Sequence, residues 1–120
     1  MVPRPVLVVA LLAACSALIA DDADGDAEGQ AFFESRIRPV LIDHCYRCHS
    51  AESEHLKGGL RVDTRDGLLS GGDSGPAIVP GDAGRSLLVT AVRWHDEDLQ
   101  MPPKQALPPA MIDDLVAWVG

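Results

Sequence analysis

Cys45-Tyr46-Arg47-Cys48-His49 is the stretch of sequence that decides the fold. Two cysteines three positions apart, followed at once by a histidine, form the attachment pattern for a c-type haem. Each thiol adds across one vinyl group of the porphyrin, and the two intervening residues match the distance between the vinyl groups on one turn of backbone. His49 then lies under the iron and supplies the proximal nitrogen ligand. The motif therefore predicts one covalently bound haem c.

Two other interpretations of the cysteine pair stay open at this point. A structural zinc ion needs four ligands, and because the sequence has no second cysteine pair, His44, His55 or His95 would have to complete the site. A redox-active dithiol needs a thioredoxin-like βαβ context, of which this sequence shows no sign. The histidine directly after the second cysteine favours haem over both.

Met101 is the candidate for the distal ligand of the iron. It lies in the segment Gln100-Met101-Pro102-Pro103-Lys104, downstream of the motif and before the last predicted helix. A thioether is soft and neutral, so it favours ferrous iron and raises the reduction potential. The prolines stiffen the loop, which lowers the entropy lost on ligation. His95 is the main alternative, and Met111, which faces the core of the last predicted helix, is a weaker one. His44 is too near His49 to reach the opposite face, and His55 lies in a polar stretch only six residues after it.

The N-terminus predicts export. Arg4 provides a short positive region, residues 6–20 form a nearly unbroken apolar run, and an acidic segment begins at Asp21. This is the pattern of a secretory signal over residues 1–20, too short for a comfortable membrane span. Leu12-Ala13-Ala14-Cys15 resembles a bacterial lipobox, so Cys15 is the candidate for a lipid anchor to the membrane. The expected location is the periplasm or the outer side of the cytoplasmic membrane.

The charge balance points to the kind of partner. The chain has 18 acidic and 10 basic residues, for a net charge of −8, and loss of residues 1–20 would remove Arg4 but no acid. Acidity disfavours nucleic acid and anionic membrane surfaces. It permits docking to a basic patch on a redox partner protein, although it also simply keeps an exported protein soluble.

Hydrophobic spacing predicts a small all-α domain over residues 31–120, after a flexible acidic leader over 21–30. Pro39 predicts a kink or a short break between the first two helices. Asp63 is the predicted cap of a short helix that ends at Gly71, and Phe32 or Phe33 is expected to pack against Trp118. The predicted helices cover residues 29–38, 39–48, 64–70, 86–93 and 107–119.

Several residues are candidates for supporting the haem. We expect His49 to donate its other ring nitrogen to a backbone carbonyl at Gly75-Pro76, because such a bond fixes the ring. The haem propionates need donors. Those available in the sequence are Arg61, Arg85, Arg93 and Trp94.

Several short segments accompany the haem motif and Ser50. They are Phe32-Phe33-Glu34, Ile37-Arg38-Pro39-Val40-Leu41, Lys57-Gly58-Gly59-Leu60-Arg61-Val62-Asp63, Gly71-Gly72-Asp73-Ser74-Gly75-Pro76-Ala77, Pro80-Gly81, Ser86-Leu87-Leu88 and 96–104. With these segments the chain resembles the planctomycete-type cytochrome c domain, a branch of the class I cytochrome c fold, over about residues 31–119. One departure is Leu107-Pro108-Pro109-Ala110, which stands where similar sequences have a Ser/Thr cap and acidic residues.

The resemblance implies a small class I cytochrome c-like fold wrapped around one haem, with Cys45 and Cys48 as thioether positions, His49 as proximal ligand and Met101 as distal ligand. It also implies an N-terminal module of a longer secreted protein. The leading hypothesis is one-electron transfer. The alternative is a haem-based gas sensor or a peroxide-reacting module whose distal ligand leaves. No nucleophile–base pair stands out, so we assign no chemical transformation to the domain itself.

Overall fold

The structure is a computed structural model that describes residues 2–6 and 20–120. These residues form five α-helices connected by loops and single 3₁₀ turns, and they contain no β-strand beyond an isolated bridge between Gly72 and Gly75. The predicted all-α fold is confirmed. The helices are α1 (Ala20–Phe32), α2 (Arg38–His44), α3 (Arg65–Ser70), α4 (Leu87–Arg93) and α5 (Pro109–Val119).

The segment predicted as a flexible leader over 21–30 is helical, as part of α1. Acidic side chains near the beginning of a helix interact favourably with its dipole, and alanine is the best helix former. Residues 26–31 are exposed to solvent, and Phe32 at the end of α1 packs against the core. Apart from residues 2–6 and Ala20, the predicted signal over 1–20 lies outside the described residues, and so does Cys15.

The helical backbone continues past Pro39, and a local distortion before it replaces the kink or short break that the sequence predicted. A π-helical turn, Phe33–Ile37, follows α1, and α2 begins at Arg38 with the proline in its first turn. Proline lacks the amide proton that an interior helical position requires, whereas the first turn of a helix tolerates it. Helix α2 ends at His44 instead of continuing to 48, so the haem motif follows the helix and does not lie within it.

The core lies between the π-helical turn, α2, α4 and α5. Ile37, Leu41 and Leu115 are fully buried, and Val89 and Val92 of α4 are almost so. Phe33 packs against Trp118 with 5.5 Å between the ring centroids, which confirms the predicted contact of the N-terminal and last helical segments. Helix α5 begins at Pro109 without a side-chain cap, in keeping with the unusual sequence at its start.

The short helix α3 is capped by Thr64 and not by Asp63. The Thr64 hydroxyl accepts a hydrogen bond from the Gly67 amide at 3.0 Å, which satisfies one of the free donors at the beginning of the helix. Asp63 instead bonds to Arg61 and to the Ala51 amide. No helix in residues 2–6 and 20–120 is both long and apolar enough to cross a membrane.

Candidate haem site

The Cys45–His49 motif forms a single tight turn at the end of α2. The Cys45 carbonyl accepts hydrogen bonds from the amides of Cys48, at 3.2 Å, and His49, at 3.0 Å. These bonds place the two cysteines and the histidine on one turn of backbone, which is the geometry that attachment to two vinyl groups requires. Both cysteines are free thiols of intermediate exposure.

The imidazole of His49 is oriented by the segment that follows the motif. Its Nδ1 lies 3.2 Å from the Leu60 carbonyl oxygen, and the His49 carbonyl accepts from the Val62 amide at 2.8 Å. A carbonyl can only accept, so the bond requires the proton on Nδ1 and leaves the Nε2 lone pair free for a metal ion. The sequence predicted an acceptor at Gly75-Pro76, and the acceptor in the structure is Leu60.

An apolar cavity of about 240 Å³ opens beside the motif. Cys45 and His49 lie on one part of its wall and Met101 on another, whereas Cys48 is not among the lining residues. The sulfur and imidazole donors fit iron, and the hydrocarbon wall fits a porphyrin face, so the residues present match a haem c group. The apolar wall consists of Leu60, Val62, Ala77, Leu87, Leu88, Ala91, Val92 and Leu99.

The cysteine pair does not have the properties of a reactive dithiol. Burial, and secondarily the neighbouring Cys48, raises the pKa of the Cys45 thiol to about 11. Redox-active Cys-x-x-Cys motifs depend on the opposite shift, which populates the thiolate at neutral pH. The zinc interpretation also lacks a ligand set, because no group of three potential ligands from His, Cys, Asp and Glu occurs in the described part of the chain.

Met101 reaches the cavity from the loop between α4 and α5. Its amide donates to the Ala91 carbonyl at 3.0 Å, which ties the loop to the end of α4. The side chain lines the cavity and remains 37% exposed. The structure thus brings Cys45, His49 and Met101, residues distant in sequence, to one cavity.

Of the residues predicted to support the haem, Pro76 and Arg93 are exposed and do not line the cavity. Donation of Arg93 to a propionate stays a prediction. The Trp94 indole Nε1 donates to the Pro102 carbonyl at 3.1 Å, so it contacts the Met101 loop. The cavity wall contains Lys57 and Asp73 as charged residues; both lie in segments that carry the family resemblance, but neither was predicted to line the site.

Gly71 has a backbone conformation that the cavity wall depends on. Its φ is +71°, and an added Cβ would collide with backbone atoms of Gly75 and Pro76.

Because Gly75 lines the cavity, we expect Gly71→Ala to lower the free energy of unfolding by more than about 1 kcal/mol and to reduce haem incorporation. Urea unfolding and the yield of haem-loaded protein measure both effects. Gly84→Ala is the matched control, because the added Cβ there meets only an ordinary contact; equal losses in the two variants would contradict the prediction.

Asp63 connects the segment after the motif to Arg61. Its carboxylate accepts from the Ala51 amide at 3.0 Å and from Arg61 at 3.1 and 3.0 Å. The Arg61 hydrogen bond, followed by that of the Ala51 amide, lowers the pKa of the Asp63 carboxyl. Because the pKa is lowered, the carboxylate stabilises the folded state at pH values above its ordinary, unfolded-state pKa of about 3.9. This stabilisation is lost as the pH falls through the folded-state pKa.

We therefore expect the free energy of unfolding of Asp63→Asn to fall less steeply than that of the native protein as the pH is lowered toward 3. Urea unfolding between neutral pH and pH 3 measures this, with both proteins compared at each pH. Asp43→Asn removes an equal charge from the exposed surface of α2 and serves as the control. If both variants follow the native curve in acid, Asp63 does not contribute the predicted pH dependence.

The helical fold, the Cys-x-x-Cys-His turn and the apolar cavity beside it define a c-type cytochrome domain. Residues 45–105 match the family model of planctomycete cytochrome C. The chain belongs to this family, as the resemblance in its sequence indicated, and is a haem c-binding cytochrome. No curated protein and no solved structure gave a significant match.

Proposed function

We propose that the domain is a one-electron carrier that binds one haem c through Cys45 and Cys48, with His49 and Met101 as the axial ligands. The observation that carries the proposal is that His49 and Met101 line the same apolar cavity although 51 positions separate them in the sequence. The bound haem supplies a ferric/ferrous couple. The protein groups around it would attach the haem, orient its ligands and set its reduction potential.

Each of these side chains has a separate task. The two cysteine sulfurs tether the group, so that it cannot exchange with free haem. The Leu60 carbonyl keeps the Nδ1 proton of His49 in place, which fixes the tautomer and presents Nε2. The Met101 thioether is neutral and favours the ferrous state. The aliphatic wall excludes water, and a low local dielectric disfavours the extra charge of the ferric state.

The wider setting is also a proposal. Covalent haem attachment takes place outside the bacterial cytoplasmic membrane, and the N-terminal sequence has the pattern of an export signal, with Cys15 as a candidate for lipidation. The acidic composition supports a basic redox partner, either a separate protein or a fused domain. The family resemblance supports a role as the N-terminal module of a longer secreted protein.

Carbon monoxide distinguishes a carrier from the alternative, a gas sensor or peroxide-reacting module. We expect the haem-loaded, reduced native protein to bind carbon monoxide slowly and incompletely at neutral pH, because Met101 occupies the distal position. Its voltammogram should show one reversible one-electron wave. Rapid and saturable carbon monoxide binding by the native protein would favour the alternative, and a colourless protein with the mass of its amino acids alone would refute both.

A further inference from the structure

Two hydrogen bonds hold the main chain on either side of the Met101 side chain. On the N-terminal side, the Met101 amide donates to the Ala91 carbonyl at 3.0 Å. On the C-terminal side, the indole Nε1 of Trp94 donates to the Pro102 carbonyl at 3.1 Å. The indole bond therefore satisfies the Pro102 carbonyl and gives the Met101 loop a second connection to the end of α4.

The backbone of Trp94 is adapted to this contact. Trp94 ends α4 in the left-handed conformation, with φ 62° and ψ 25°, and it is the one non-glycine residue with positive φ in the described residues. Glycine or asparagine usually occupies such a position, because a side chain with a Cβ is strained there. A bulky indole at this position implies that its contacts compensate for the strain.

We infer that Trp94 is a positioning residue for Met101: its indole N–H holds the Pro102 carbonyl so that the thioether stays at the cavity. The inference rests on the proposed ligation by Met101. It also gives Trp94 a role other than donation to a propionate, which the sequence had suggested.

The Met101 side chain needs such external support. It is unbranched, with three rotatable bonds, and it is more than one third exposed, so side-chain packing alone constrains it weakly. Without the indole bond, the loop would populate conformations in which the sulfur is away from the cavity. A competing ligand would then bind to a larger fraction of the molecules.

The test uses Trp94→Phe in the haem-loaded full chain, because phenylalanine keeps an aromatic ring and removes the N–H. We expect the apparent affinity of the ferric protein for added imidazole to increase about two- to tenfold, which corresponds to the net contribution of one hydrogen bond. The absorption band that reports sulfur-to-iron ligation should weaken in parallel. Both readouts follow the distal ligand and not merely the stability of the fold.

Trp118→Phe is the matched control. Trp118 packs against Phe33 and does not line the haem cavity, so its replacement should lower the unfolding midpoint while leaving the imidazole affinity within twofold of native. If Trp94→Phe behaves like Trp118→Phe, with lower stability and native imidazole affinity, the positioning role is wrong.

Met101→Ala in the same titration separates this inference from the proposed function. If Met101→Ala binds imidazole more tightly and Trp94→Phe does not, the ligation stands and the role of Trp94 is overturned. If Met101→Ala keeps the native spectrum and imidazole affinity, the ligation itself is refuted and the inference with it.

Hydrogen exchange in the native protein tests the same contact without a variant at Trp94, in case Trp94→Phe does not fold. The Trp94 indole proton should exchange slowly, and saturating imidazole should accelerate its exchange severalfold as the loop leaves the cavity. The Trp118 indole proton provides the internal reference. An unchanged Trp94 exchange rate under saturating imidazole would overturn the inference.

Discussion

Replacing both Cys45 and Cys48 with alanine is expected to abolish covalent haem attachment completely. The two thioethers are the only covalent connections that the motif offers, and His49 alone holds a haem that denaturation releases. Export-competent expression, followed by intact-mass measurement under denaturing conditions, should give the mass of the polypeptide alone. The native protein should be heavier by one haem. The loss of covalently bound colour on a denaturing gel is a second, independent reading.

The two single variants serve as controls for this result. Cys45→Ala and Cys48→Ala each leave one sulfur, so each should retain some haem through a single thioether, with an absorption maximum shifted by the remaining vinyl group. Because a haem attached at the motif would cover the apolar wall of the cavity beside α4, the double variant should also unfold at a lower urea concentration. Haem that stays attached to the double variant after denaturation would contradict the assignment of the motif.

Replacing Met101 with alanine is expected to produce the largest change in the properties of the attached haem. The loss of the thioether removes a ligand that favours ferrous iron, so the reduction potential should fall by on the order of a tenth of a volt or more, within the wide range that axial ligands set. The ferrous variant should also bind carbon monoxide rapidly. Spectroelectrochemistry and stopped-flow mixing measure the two effects.

Two variants make this result specific. Met111→Ala removes the neighbouring methionine, which packs against the core from α5, and should change stability but neither the potential nor carbon monoxide binding. His95→Ala tests the alternative ligand, an exposed residue beyond α4. A fall in potential in His95→Ala but not in Met101→Ala would transfer the distal position to the histidine.

Much of the site could be predicted from the sequence because its central part is local. Cys45, Cys48 and His49 lie on one turn of backbone, and their spacing alone fixes their relative positions. The position of Pro39 in the first turn of α2 follows from the missing amide proton of proline, which is likewise a local property. The contact of Phe33 with Trp118 followed from the apolar stripes of two helices.

The predictions that were wrong concern residues whose partners are chosen by packing. Any backbone carbonyl near His49 could have accepted its Nδ1 proton, and only the path of the chain after the motif selects Leu60 over Gly75-Pro76. Either Asp63 or Thr64 could have capped α3, and Asp63 is taken by Arg61. The contact of the Trp94 indole with the Pro102 carbonyl was likewise not foreseen, and the donation of Trp94 to a propionate stays a prediction.

The sequence by itself determined the type of prosthetic group and the helical class, and it predicts the attachment points and Met101 as a ligand, because these depend on residue chemistry and on short motifs. Only the tertiary structure decided which segments meet around the cavity: the Met101 loop and the motif line the same cavity, Leu60 contacts His49 and Trp94 contacts the Met101 loop. Such contacts join segments far apart in the chain, and their geometry comes from how α4, α5 and the loops pack on one core. No spacing along the sequence contains that information.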